Sequence, residues 1–264
     1  MSLQVVLASY SHIELTDDEY CMALIEAKRK KEELIKKKER EQRAEKSRQQ
    51  LTGKIWTEAQ TRDYMLYRAA EMWGGLFKLD EYNKAVFDLL CLYFSNDAHF
   101  VKAAKDMGVK GAHLDKGILL AGNFGVGKTW MMSLFRKNNR RVYHVAHAKD
   151  IAREYKKNGI EAIEKYFTRV KNPFNDPTVF YQEYAGLCIE DIGAEDVRGH
   201  YGDKCLVIEE IVESRYSDHG LVGWFHGTTN LTSEQIKEYY GGRVVDRLRQ
   251  AVNLIELGGP SRRK

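Results

Sequence analysis

Cysteine and proline are scarce in this chain, with four of the first and three of the second among 264 residues. Cys21, Cys91, Cys188 and Cys205 are scattered, with no C-x-x-C pair and no histidine at ligand spacing. That excludes a zinc ribbon or a disulfide framework and points to a reducing compartment. With so few prolines, little interrupts helices and strands. No stretch approaches the roughly 18 consecutive apolar residues of a membrane span. The N-terminal segment Met1–Leu7 has an apolar patch, but neither a basic n-region nor an h-region long enough for a signal peptide. A cytoplasmic protein is expected. Net charge is also small. The 42 Lys and Arg against 38 Asp and Glu leave +4, which permits a nucleic-acid partner without requiring one.

Composition divides the rest into three zones. Residues 1–50 form a charged helical arm, almost all helix-former and charge from Thr16 to about Gln50, with Asp17 and Asp18 placed to favour the helix dipole. Apolar residues there are too sparse for sustained heptads, which leaves a solvated, salt-bridged helix or an interaction arm. Residues 51–113 carry Trp56, Tyr64, Tyr67, Trp73, Phe77, Tyr82, Phe87, Leu90, Tyr93 and Phe94 at helical spacings, and predict a small helical subdomain whose aromatic residues form a core. From residue 114 onward, short apolar runs alternate with amphipathic stretches. Strands are expected at 118–121, 141–145, 185–189, 221–225 and 252–257, and helices at 128–137, 150–157, 204–216, 233–239 and 242–250. The alternation predicts an α/β fold with a parallel sheet flanked by helices.

The segment Gly122-Asn123-Phe124-Gly125-Val126-Gly127-Lys128-Thr129 matches G-x-x-x-x-G-K-T between an expected strand and an expected helix. In that context glycines let backbone N–H groups turn inward around phosphates, Lys128 supplies a cation, and Thr129 offers a hydroxyl to Mg²⁺. Trp130, directly after the loop, is grouped with the nucleotide-binding residues. The pattern predicts a P-loop that binds ATP and Mg²⁺. A GTPase is disfavoured, because no N-K-x-D base-reading motif occurs.

Three further segments carry chemistry. Leu187–Gly193 places Glu190 and Asp191 at a strand end, where one carboxylate can organise the metal and the second can polarise a water. The usual order is Asp then Glu. By position Glu190 would hold the Mg²⁺ water shell and Asp191 would act as base, and the inversion predicts slow hydrolysis. Phe225–Thr232 places Asn230 after another strand as a polar sensor for the γ-phosphate, with a helix cap at Thr232 or Ser233 as the plain alternative. Arg243 and Arg247 share a helix face, which suits an arginine finger, an exposed basic face or an intrachain pair with Asp246 or Glu238.

In this order, Gly122–Thr129, Leu187–Gly193, Thr229–Thr232 and the D-R-L box at Asp246–Leu248 resemble the AAA+ helicase-loader family, DnaC- and DnaI-like, and the related IstB ATPases. The resemblance covers residues 114–264, and Gly259–Arg263 looks like the family's closing G-x-S-x-R. It implies an AAA+ ATPase core without a C-terminal lid, Asn230 as sensor and Arg247 as a finger acting on a neighbouring copy, hence self-association. It also implies contact with single-stranded DNA, for which Tyr155 and Tyr201 are candidates, and by position a replicative helicase held by the N-terminal zones. Two other readings stay open, an IstB-like transposition ATPase and a nucleotide-gated adaptor that binds no DNA.

Overall fold

The computed structural model of the chain describes residues 16–51, 56–174, 182–195, 198–200, 203–205 and 207–263. The chain divides between Gly53 and Lys54 into two units. The first is the helix α1 (Asp17–Leu51). Its start is fixed by Thr16, whose hydroxyl accepts from Glu19 N at 3.3 Å while the Glu19 carboxylate accepts from Thr16 N at 2.9 Å. Asp17, Asp18 and Glu19 fill the first turn, where negative charge complements the helix dipole.

The second unit opens with α2 (Glu58–Trp73), held by a capping box between Thr57 and Gln60. It is followed by α3 (Lys84–Phe94) and α4 (His99–Asp106). Then come β1 (Gly117–Ala121), α5 (Lys128–Phe135), β2 (Tyr143–His147), α6 (Ala148–Asn158), β3 (Val170–Lys171) and β4 (Tyr184–Ile192). A short hairpin of β5 (Arg198–His200) and β6 (Asp203–Cys205) leads to α7 (Val207–Ser217). The chain continues through β7 (Phe225–Thr229), α8 (Ser233–Tyr240), α9 (Gly242–Ala251) and β8 (Val252–Glu256).

The strands β2-β4-β7-β1-β8 lie side by side and all run parallel, with β3 antiparallel on the start of β4. Both faces of the sheet are covered, so its strands are apolar on both sides rather than alternating. Ile118 and Leu120 face one cluster, shared with Phe87, Phe94 and Phe100 of α3 and α4 and with Phe135 and Tyr143. Leu119, between them, faces the opposite cluster with Leu187, Ile189 and residues of α6 to α9. Burying a side chain such as Phe94, which is fully enclosed, stabilises the fold by about 1.5–3 kcal/mol. The aromatic-rich helices and the sheet thus share one continuous core.

The α/β architecture expected from the alternating pattern is present, with three departures. Of the apolar run at 221–225, only Phe225 lies in a strand. Asp218 accepts from Gly220 N and opens a 3₁₀ turn over His219–Trp224, so pairing starts only at Phe225. Residues 203–205 pair as β6 instead of starting the following helix. Among the residues named in that zone, Phe87, Leu90, Tyr93 and Phe94 are buried, but Tyr67 and Tyr82 are exposed.

Candidate functional site

In an open parallel sheet, ligands sit beyond the carboxyl ends of the strands. Here β1, β7 and β4 are neighbours, so the loop after β1, Asn230 after β7 and the acidic pair on β4 meet at one edge.

The loop's shape follows from its glycines. Gly125 has φ +82° and Gly127 φ +104°, backbone states that side chains rarely adopt, and Gly127 caps α5 in the left-handed region. Gly122 packs so closely on the chain after β8 that a Cβ would stand 2.1 Å from the Leu257 carbonyl oxygen. Lys128 begins α5 and is 5% exposed. Its ammonium donates to the carbonyls of Gly122 at 2.7 Å and Asn123 at 2.8 Å, and to Asn230 Oδ1 at 2.6 Å. Burial lowers its pKa, and the Arg263 guanidinium adds to this while the Asp191 charge opposes it.

Asn230 continues the chain of contacts, its Nδ2 donating to Asp191 Oδ1 at 3.2 Å. The other carboxylate oxygen, Asp191 Oδ2, is 3.2 Å from His147 Nε2 at the end of β2. His147 Nδ1 accepts from Lys149 N and caps α6, so the ring proton resides on Nε2 and is donated to Asp191. Asp191 itself has φ +55°, unusual for a residue with a side chain, and the β4–β7 register shifts between Ile189 and Ile192. The left-handed backbone at Asp191 costs on the order of 1–3 kcal/mol. It is held by side chains: Thr228 Oγ1 accepts from Asp191 N at 3.0 Å, and Thr229 Oγ1 donates to Ile192 O at 2.8 Å. Such a bulge re-aims a side chain.

Glu190 precedes this kink. Its Oε1 is buried without a hydrogen-bond partner among the described residues. Burial raises its pKa, the Asp191 charge raises it further, and His147 opposes both. A buried carboxylate oxygen with no donor fits a cation that enters with its own ligands. Magnesium, which keeps several waters and takes few protein groups, has that chemistry, with Glu190 and Thr129 as the residues that would hold it. Among the described residues, no cluster of three or more His, Cys, Asp or Glu could hold a metal unaided.

The remaining candidates lie apart from this chain of contacts. Phe124 is exposed, as is Asn123, which takes part only through the carbonyl that accepts from Lys128. Trp130 is stacked on Trp73 of α2, ring centroids 4.8 Å apart and planes at 2°. Arg247 is paired with Glu213 on α7, and Arg243 Nε stands 3.2 Å from the same carboxylate. The Arg247 hydrogen bond, helped by the charges of both arginines, lowers the Glu213 pKa against the opposing effect of burial. The intrachain partner of these arginines is therefore Glu213, where the sequence suggested Asp246 or Glu238. Tyr155, a candidate for DNA contact, is buried at 6% exposure and packed with Ile151 and Ala152 against the sheet. Tyr201 lies outside the described residues. A separate cavity of about 270 Å³, lined by His144, Lys165, Tyr166 and Arg215 among others, contains none of the loop or acidic residues.

The structure adds His147 and Asp80, which lie outside the motifs, and gives Thr228 and Arg262 supporting contacts that the motifs did not indicate. His147 and Thr228 support Asp191, and Arg262 with Asp80 braces the loop from outside.

No protein-family model matches the chain, and no curated protein does. Among solved structures it is similar to DnaI, with a TM-score of 0.41 and 23% identity over 64% of this chain and 86% of that one. It is also similar to the DnaC helicase loader, at TM-score 0.39 and 16% identity over 62% and 90% of the two chains. A third likeness is to AMPPCP-bound DnaA from Aquifex aeolicus, at TM-score 0.40 and 18% identity over 69% and 48%. At these values none of the likenesses carries a residue's role to this chain. By its own strand order and loop, the fold is that of a P-loop NTPase.

Proposed function

We propose that this chain is an ATP-binding and slowly hydrolysing P-loop ATPase of the helicase-loader kind. The observation that carries the catalytic reading is the unbroken contact chain Lys128–Asn230–Asp191–His147 across the ends of four parallel strands. Such a chain joins a phosphate-binding cation to a carboxylate through one amide. A change at the phosphates is thereby transmitted to the group that acts on water.

In this reading the loop amides and Lys128 bind the β- and γ-phosphates. Magnesium held by Thr129 and Glu190 would offset the charge on the phosphate oxygens. Asp191 accepts a proton from the water that attacks the γ-phosphorus, as ATP and water become ADP and phosphate. Asn230, in contact with both Lys128 and Asp191, orients that water. His147 keeps Asp191 pointed by donating to its second oxygen. Asp is shorter than Glu, so its reach toward the water is less, and this supports slow turnover and the behaviour of a switch.

The loader assignment rests on the order and spacing of the four motifs from Gly122 to Leu248. It brings self-association with Arg247 as the finger, contact with single-stranded DNA, and a replicative helicase held through residues 1–113. Domain limits of 1–50, 51–113 and 114–264 belong to the same proposal. The Arg247–Glu213 pair would have to open before Arg247 could reach a neighbour's nucleotide. A pull-down with residues 1–264 and a replicative helicase tests the partner. Binding that needs the N-terminal zones supports the loader, whereas capture of a transposase instead supports the IstB-like reading.

A further inference from the structure

After β8 the chain does not leave the sheet but crosses the phosphate loop. Leu257 N donates to Ala121 O at 2.8 Å, extending the β1–β8 pairing by one step, and Arg262 N donates to Gly125 O at 2.9 Å. Between these points Ser261 lies against Gly125, where a Cβ would meet the Ser261 hydroxyl at 2.2 Å. The Arg262 side chain then makes two kinds of contact at once. Its Nε donates to Val126 O at 3.1 Å, and its two terminal nitrogens donate to the Asp80 carboxylate at 2.7 and 3.0 Å.

Asp80 is itself fixed. It sits in the turn before α3, where its Oδ1 also accepts from Tyr82 N at 3.0 Å and Asn83 N at 3.1 Å. The Arg262 hydrogen bond, with those of the two amides, holds its carboxyl below the ordinary range. Gly259 packs against the Tyr82 ring, φ +107°, so the strap and the turn meet at two places. A planar guanidinium with a bidentate carboxylate on one edge and a carbonyl on the other is a rigid link, which a lysine cannot reproduce.

We propose that Arg262 is a positioning residue for the phosphate loop, anchored by Asp80. By engaging the carbonyls of Gly125 and Val126, it orients their peptide planes and so aims the N–H groups on the other side of those planes. A loop held this way before nucleotide arrives loses less freedom on binding. The strap also carries Arg263, whose charge is felt at Lys128. Nucleotide affinity therefore depends on an ion pair between residues 182 positions apart in the chain. The proposal rests on the nucleotide-site reading for its consequence, but not for its geometry.

The test uses the full chain with Arg262→Gln, Asp80→Asn, the double variant and Lys128→Ala. Amide hydrogen exchange at residues 123–127 is measured without nucleotide, together with Kd for labelled ATP, kcat and Tm. Arg262→Gln is expected to speed exchange in the loop and raise Kd by about tenfold, with kcat within about twofold, because no group that acts on water is touched. Asp80→Asn moves Kd in the same direction by less, and the double variant is no worse than Arg262→Gln alone. If Arg262→Gln fails to fold, Asp80→Asn alone carries the comparison. Unchanged loop exchange and Kd in a folded variant overturn the proposal. So does a loss of kcat with unchanged Kd, which would place Arg262 in the chemical step and not in the positioning of the loop. If the native chain, like Lys128→Ala, binds no ATP, the site reading fails, and exchange at 123–127 decides the strap by itself.

Discussion

Asp191 and His147 face each other across adjacent parallel strands, with Nε2 of the ring 3.2 Å from Oδ2 of the carboxylate. The same ring caps α6 through Nδ1, so one side chain fixes both a helix start and the direction of the proposed base. His147→Ala should cost about 1 kcal/mol of stability from the lost cap. It should also lower kcat by about tenfold, with little change in Kd for ATP. Denaturant titration and steady-state hydrolysis separate the two effects. A variant with lower stability and unaltered kcat would leave His147 with the cap alone.

Glu190 gives a pH prediction. Its folded-state pKa is raised, so the folded chain holds this proton more tightly than the unfolded one. The stability tied to that proton is present below the ordinary Glu value and is lost as pH rises through the raised one. Glu190→Gln, neutral at all pH, should therefore match the native chain in acid and exceed it in Tm at pH 8. Thermal scans from pH 5 to pH 8 measure the widening gap. The same variant should bind ATP less tightly with Mg²⁺ than the native chain, and equally in EDTA.

Arg247 predicts activity shared between subunits. Arg247→Ala should bind ATP normally yet lower hydrolysis by about a thousandfold. Lys128→Ala should be inactive for lack of nucleotide. Mixed, the two should recover activity, because each contributes the half the other lacks. Glu213→Gln releases the arginine from its intrachain partner and should raise turnover a few-fold. Hydrolysis by equimolar mixtures is the measurement, and mixtures no better than their components would confine Arg247 to its pair with Glu213.

Assembly is the next expectation. With ATP and a single-stranded oligonucleotide, light scattering should report particles larger than the monomer, and Arg247→Ala should form fewer. A monomer under every condition would remove the loader reading while leaving the ATP site intact.

The legible part of this protein is what a short stretch of sequence encodes. The loop Gly122–Thr129 is contiguous, and its glycines announce the turns they make. Glu190, Asp191 and Asn230 each follow an apolar run, so their placement at strand ends could be read directly. The relationships between them could not. Asp80 and Arg262 are 182 positions apart, and only the turn before α3 and the strap after β8 bring them together. The kink at Asp191 depends on Thr228 and Thr229 in a neighbouring strand. The burial of Tyr155 follows from its spacing from Ile151, which places it on the buried stripe of α6 although two lysines follow it. The run from Leu221 to Trp224 is as apolar as a strand, but the Asp218 cap turns it first.

The most direct measurement is single-turnover ATP hydrolysis, with ATP affinity determined in parallel, for the native chain, Lys128→Ala and Asp191→Asn. The account predicts that Lys128→Ala loses about 100-fold or more in affinity. Asp191→Asn should bind ATP as the native chain does, and hydrolyse it about 100-fold or more slowly. Unchanged affinity in Lys128→Ala, or undiminished hydrolysis in Asp191→Asn, would contradict it.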